Sequence, residues 1–268
     1  MESTKYVHGY TSRESIRLND QANTLEEIIH HDTIFPKGSL ILEAGCGVGA
    51  QTKIMASGNP GSKFISVDIS EDSLMEAEKL IRSLNITNVE FEQADIYKLP
   101  FKDEVFDDAI VCFVLEHLNN PVHALHEVMR VLKKGGNLIA VEGDHGSAFF
   151  HPDSEFATAA IQCLVQLQKQ KGGNANIGRE LYPLLNSVGL ENVSVSPRVV
   201  YADSSKPHLV EGFTRNTFTA MIEGVAQEAF GSGMMSKKDF EQGIQDLYRT
   251  AEEDGTFIYM FFKGSGIK

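Results

Sequence analysis

A doubly wound α/β fold is predicted by three features of the chain. Short apolar runs with almost no polar interruption read as strands covered on both faces. Amphipathic stretches of helical period separate them, and a cluster of glycines stands where the first strand turns into a helix. The alternation extends from Ser39 to Glu142 and implies right-handed crossovers between parallel strands.

Each element has its own signal. A first helix is predicted over 11–30, opened by Thr11 and Glu14 as a capping box and striped by Leu18, Ala22, Leu25 and Ile29. Leu40–Leu42 is the first strand, and a short helix follows Gly49. Phe64–Ile69 is the next strand; Ser70 then caps a helix striped by Leu74, Ala77, Ile81 and Leu84. Val89–Phe91, Ala109–Leu115 and Leu138–Val141 complete the strands of this half. Ahead of the last of them, Asn120-Pro121 caps a helix carrying Val122, Leu125, Val128, Met129 and Leu132, which Gly135-Gly136 ends.

After residue 146 the rhythm changes. Helices are predicted over 153–171, up to Gly172-Gly173, and over 177–188, closed by Gly189. A strand follows at Val193–Tyr201, then helical stretches over 207–230 and 236–252, and a final strand at Phe257–Lys263. The helical insertion before that strand, about fifty residues, exceeds ordinary connections and reads as a lid or binding element.

Composition excludes several classes. With 268 residues and 42% hydrophobic content, the chain suits one large domain with a substantial core. Its longest apolar run, Ala109–Leu115, is far too short to span a membrane. Met1-Glu-Ser-Thr-Lys lacks the apolar stretch of a signal peptide. A net charge of −13 without a basic block argues against a nucleic-acid or anionic-lipid partner. Cys46, Cys112 and Cys163 never form a C-x-x-C pair and read as reduced thiols of a cytoplasmic protein.

The informative stretch is Glu43-Ala-Gly45-Cys46-Gly47-Val-Gly49-Ala50. Alternate glycines here permit positive φ and let a ligand touch the backbone, and the helix that follows offers free N–H groups. Gly45, Gly47 and Ala50 also satisfy the dinucleotide fingerprint, with Asp68 at the distance of a ribose-binding acid. Loop and acid together therefore establish an adenosine-type cofactor on a Rossmann-like sheet, and an NAD-type oxidoreductase stays open at this point.

The wider constellation resembles the class I S-adenosylmethionine-dependent methyltransferases. Glu43 through Gly49 is similar to their first motif and Val67-Asp68-Ile69 to the second. Gln93-Ala-Asp95-Ile96 is similar to the third, and Phe106-Asp107 with Ala109–Leu115 and Glu116-His117-Leu118 to the fourth. Val131-Leu-Lys-Lys-Gly135-Gly136-x-Leu138 is similar to the fifth, with Lys134 where that signature usually has proline. The resemblance covers about residues 38–142 and is closest to small-molecule enzymes like those of ubiquinone and menaquinone biosynthesis.

The resemblance implies a seven-stranded sheet of order 3-2-1-4-5-7-6 with the last strand antiparallel. One methyltransferase domain is expected over 1–268: an N-terminal helical segment (1–37), a cofactor-binding core (38–146), and, beyond the reach of the resemblance, helical insertions (147–176 and 203–254) capping the acceptor. For S-adenosylmethionine the resemblance implies Gly45, Cys46, Gly47 and Gly49 at the methionyl and ribose parts and Asp68 with Ile69 at the ribose. Asp95 and Ile96 would flank the adenine, and the Phe113 main chain would lie near the methionine end. Glu43 would orient the loop or approach the methionyl ammonium through water. Tyr10 and the 11–30 helix are expected to close over the cofactor from the N-terminal side, with Arg17 or Gln21 reaching it.

Methyl transfer needs a base only when the acceptor must lose a proton. His145 is the first candidate, oriented by Glu142 or Asp144, and His117 the second. Asp144, His145 and His151 match no established metal spacing, so no metal is expected. Phe213, Phe218, Met221, Ile222, Met234 and Met235 are candidates for an apolar acceptor pocket. A small organic acceptor is expected as the partner, and a homodimer is left open. A non-catalytic module that binds S-adenosylmethionine is the remaining alternative reading.

Overall fold

A computed structural model of the chain describes residues 12–268, with side chains from Ser15 onward. Its apolar runs become β1 (Leu40–Ala44), β2 (Lys63–Asp68), β3 (Val89–Gln93), β4 (Phe106–Cys112), β5 (Leu132–His151), β6 (Glu191–Asp203) and β7 (Thr256–Ile267). They form one sheet in the order β3-β2-β1-β4-β5-β7-β6, the order the resemblance implies. The first five strands run parallel, and β7 is antiparallel to both β5 and β6. In register, Leu42 stands beside Ile65 on one side and Ala109 on the other, and Ala109 beside Leu138.

Helices fill the connections: α1 (Ser12–His30), α2 (Thr52–Gly58), α3 (Glu71–Ser83), α4 (Pro121–Val131), α5 (Glu155–Gln170) and α6 (Leu181–Ser187). Predicted caps are in place, with Ser70 Oγ accepting from the Ser73 amide and Asn120 Oδ1 from the His123 amide. Ser236 likewise accepts from the Asp239 amide at the start of the last helix. Thr11, half of the predicted capping box, lies outside the described residues.

Four expectations need correction. β5 extends far beyond Leu138–Val141, because after Val141 it leaves β4 and continues along β7, across an irregularity between Asp144 and Phe149. Leu132 accordingly opens that strand instead of closing α4. Leu115 does not end β4 but starts a 3₁₀ turn over Leu115–His117. The stretch 207–230 is not one α-helix either. It comprises α7 (Pro207–Leu209), a π-helix (Val210–Thr219), α8 (Ala220–Gly224) and α9 (Ala226–Gly231); α10 (Lys237–Arg249) follows.

Two apolar layers sandwich the sheet. One joins Leu42, Val67 and Val111 to Leu125 and Val128 of α4 and to Leu181 and Leu185 of α6. The other joins Ile41, Ile110, Ile139, Phe257 and Tyr259 to α1, α5, the π-helix, α8 and α10. The helices of both insertions thus thicken the face that α1 also covers.

A buried polar cluster anchors α1 over this face. Lys263 Nζ donates to Ile29 O (3.2 Å), Asp32 Oδ1 (2.6 Å) and Thr33 Oγ1 (2.6 Å), while Arg198 pairs with Asp32. His30 sits between Thr33 (3.0 Å) and Gln51 (2.9 Å), and burial lowers its pKa to about 4. Ala22 of α1 meets Val48, Ala50 and Ile54 just beyond the glycine loop, so this helix roofs the carboxyl ends of the central strands.

Candidate active site

The loop after β1 is built by glycine. Gly45, Gly47 and Gly49 all adopt positive φ (84°, 52° and 78°), which side-chain-bearing residues rarely tolerate. A Cβ on Gly45 would stand 2.4 Å from Val114 Cγ2, so the loop is pressed onto the chain leaving β4. A Cβ on Gly47 would meet nothing within 4 Å; there the backbone borders open space, as a ligand-contacting glycine must. Cys46 between them is buried.

Glu43 lies beneath the loop, with its Oε2 accepting from Thr52 Oγ1 (2.8 Å) and Ser66 Oγ (2.6 Å). Burial pushes its carboxyl up to about 7 despite those two bonds. It ties β1, β2 and the start of α2 together. Asp68 ends β2: one oxygen accepts the Gly47 amide (2.8 Å), the other the Ser70 amide (2.9 Å), and burial raises its pKa. Beside it Ile69 is 57% exposed, a large apolar side chain left facing solvent. Asp95 closes a tight turn by accepting the Tyr97 amide (2.9 Å), and Asp95 and Ile96 are both half-buried. Tyr10 lies outside the described residues.

Behind the loop, the chain leaving β4 turns at Phe113, a non-glycine residue with φ of 59°. Phe113 lines a small cavity of about 60 Å³. Arg17, Leu18 and Gln21 of α1 form its roof, and Phe213, Thr217, Phe218 and Met221 one wall. Glu116, His117, Gly143, His145, Tyr259 and Phe261 complete the lining. Ile222 instead packs in the core, with Met234 and Met235 partly buried against it.

The structure brings His145 and His117 together at the cavity but gives the nearby carboxylates other tasks. Asp144 is taken by Arg179 in a two-pronged pair (2.6 and 2.6 Å). Glu142 Oε1 accepts the amides of Val114 (3.0 Å) and Leu115 (2.7 Å), capping the 3₁₀ turn. Burial and the neighbouring Glu116 push the Glu142 carboxyl well above its usual range. His145 instead meets Tyr259 Oη through Nδ1 (2.8 Å) and faces Glu116 Oε2 through Nε2 (3.5 Å). Burial lowers its pKa and raises that of Tyr259. His151 is exposed at the far end of β5, and among the described residues no three His, Cys, Asp or Glu side chains converge as metal ligands.

Sequence reasoning placed Glu116 beside His117 among the candidates after the fourth strand but gave it no role, and it passed over Tyr259 and Gln168. Gln168 Nε2 donates to both Glu116 O (2.9 Å) and Glu116 Oε2 (3.0 Å). Tyr259 had a signal: it is the one polar-tipped ring in the inward-facing series Phe257, Tyr259, Phe261.

Taken together, the sheet order and the glycine loop define a Rossmann-like protein with a cofactor cleft at its central strands. A family model described as a methyltransferase domain matches residues 36–189, more than half of the sequence. The chain belongs to this methyltransferase family, which selects against the oxidoreductase reading. It is 30% identical over 214 residues to an uncharacterised 37.1 kDa transposon protein of Streptomyces fradiae, covering 79% of this chain and 61% of the relative. It is 35% identical over 107 residues to a ubiquinone/menaquinone biosynthesis C-methyltransferase of Pseudomonas fluorescens, covering 39% and 42%. The chain thus spans less than two thirds of these relatives. In fold it is similar to a crystal structure of a putative methyltransferase from Bacillus halodurans, with a TM-score of 0.56 at 19% identity, covering 92% and 98%. Among the described residues no helix is long and apolar enough to cross a membrane.

Proposed function

We propose that this chain transfers the methyl group of S-adenosylmethionine to a small organic acceptor held in the cavity. One observation carries the reading: the Phe113–Val114 turn touches both halves of the site. Val114 packs on Gly45 of the loop, while Phe113 lines the cavity. A cofactor on the loop is therefore next to whatever the cavity holds.

The residues present fit that cofactor. Open space at Gly47 lets the methionyl and ribose parts approach the loop backbone closely, and Asp68, at the end of β2 beside that loop, offers carboxylate oxygens to ribose hydroxyls. Ile69 and Ile96 offer the apolar flanks an adenine needs, with the Asp95 carboxylate beside them, and Glu43 supports the loop from below. Bound S-adenosylmethionine supplies an electrophilic methyl group on a sulfonium sulfur. The chain's own part is to hold the acceptor in line and keep water out, which can supply about 7–11 kcal/mol of barrier reduction. The 60 Å³ cavity is well below the roughly 300–1,000 Å³ of ligand clefts. Entry of an acceptor thus requires its roof or wall to give.

The buried, unpaired thiols of Cys46, Cys112 and Cys163 fit a reducing compartment such as the cytoplasm. Isothermal titration tests the cofactor: S-adenosylmethionine and S-adenosylhomocysteine should bind and NAD should not. Transfer of labelled methyl to components of a metabolite extract tests the reaction. Cofactor binding without any labelled product would leave a binding module, and NAD binding alone would overturn the reading.

A further inference from the structure

Resting on the methyl-transfer reading, we infer that Glu116, not His145, takes the proton of the acceptor, and that the acceptor is a flat ring bearing a hydroxyl. His145 Nε2 faces Glu116 Oε2 at 3.5 Å, and because a carboxylate oxygen only accepts, this placement favours the ring proton on Nε2. Nδ1 then presents a lone pair, and the Tyr259 hydroxyl, 2.8 Å away, donates to it. Nδ1 is thus engaged by Tyr259, and Nε2 is turned to a carboxylate, before any acceptor arrives. His145 is held further by its own amide, which donates to Ala175 O (2.9 Å). It is a positioning residue.

Glu116 is differently placed. Its Oε2 takes Gln168 Nε2 and faces His145, while Oε1 stands 3.6 Å from His117 Nε2 at the cavity. Its backbone is fixed: Gln168 and the Asn174 amide both donate to Glu116 O, and Glu142 caps the turn on which it rides. The charged and titratable groups around it are therefore His117 on its own turn, Glu142 and His145 of β5, Tyr259 of β7 and Arg17 of the roof. Gly143 permits the arrangement, because a Cβ there would stand 2.5 Å from Tyr259 Oη.

Four phenylalanines, Phe113, Phe213, Phe218 and Phe261, supply much of the remaining lining, with Thr217 and Met221 beside them. Such walls suit a ring, and a carboxylate at the end of the cavity suits its hydroxyl. In the step itself the acceptor oxygen forms a bond to the methyl carbon as the carbon–sulfur bond breaks, the sulfur keeping the pair. The hydroxyl proton passes to Glu116 Oε1. A sulfonium and a carboxylate become a thioether and a carboxylic acid, so charge and atoms balance.

The probe is 4-nitrophenol, whose phenol and phenolate absorb differently, added to protein saturated with S-adenosylhomocysteine. It should bind as the neutral phenol, donating to Glu116. Glu116→Gln should weaken that form roughly 10- to 100-fold and leave phenolate as the bound species. A second readout needs no variant: ¹⁵N resonances of histidine should show His145 as the Nε2–H tautomer, and Tyr259→Phe should change them. An Nδ1–H tautomer, or a bound-probe spectrum unaffected by Glu116→Gln, overturns the assignment to Glu116. A probe that fails to bind overturns the aromatic hydroxyl acceptor. Failure of folded protein to bind S-adenosylhomocysteine is a separate result that removes the methyl-transfer reading itself.

Discussion

Around Gly45–Gly49 the chain offers a ligand main-chain groups and a single carboxylate, all within thirty residues of sequence. Behind Phe113 it offers side chains that are nearly all buried and come from five separate elements: Arg17, Glu116, His145, Phe213 and Tyr259. A site made of backbone depends on a few positions of unusual φ, so one short motif specifies it. A site made of converging side chains depends on packing across the whole face, and each contributor has neighbours that it also stabilises.

The sharpest break in that comparison is Phe213→Ala. Phe213 is buried among Phe218, Phe257, Tyr259 and Phe261, so its loss should cost about 3–5 kcal/mol of stability, read by urea unfolding. A loss under about 1 kcal/mol would show that this wall is loosely packed and adaptable.

On the loop side, Glu43→Gln should reveal a pH dependence. The folded-state pKa of Glu43 is raised to about 7, so its contribution is fully present below the unfolded value of 4.5 and is lost as pH rises through 7. The variant should therefore gain on the parent by up to about 3 kcal/mol between pH 4.5 and 8. A pH-independent difference would mean that Glu43 titrates normally.

Asp68→Ala should act on binding. Loss of charge-assisted hydrogen bonds should weaken S-adenosylhomocysteine by about 1.5–3 kcal/mol in titration calorimetry. An unchanged affinity in the folded variant would move the ribose elsewhere. Smallest is Ser70→Ala, which removes the cap of α3 and should cost about 1 kcal/mol of stability while leaving the cavity side unaltered. A shift in the His145 resonances of that variant would show the two sides to be coupled.

The same division explains what could be read from the sequence. β1, β2 and α3 declared themselves through apolar runs, Ser70 and the glycines, because local propensity and fold agree there. β5 did not, since its outer half is specified by pairing with β7, more than a hundred residues away. His145 was legible as a histidine at a strand end, but its partners were not. Asp144 looked available until Arg179, from the segment after α5, proved to occupy it. Glu116 was legible beside His117 after β4, but in Leu115-Glu-His-Leu118 the histidine draws attention, and only the fold shows that both side chains line the cavity.

The π-helix makes that cavity sensitive to chain length. Its hydrogen bonds skip one residue more than those of an α-helix, and Thr217 Oγ1 returns to Gly212 O over the same five-residue interval (2.7 Å). Phe213 and Phe218 are also five apart, and their ring centroids lie 6.3 Å from each other. Wound at 3.6 residues per turn, they would point about 140° apart. Deleting a single residue from this stretch would therefore rotate one ring out of the wall, while a substitution that kept the count would leave the winding intact.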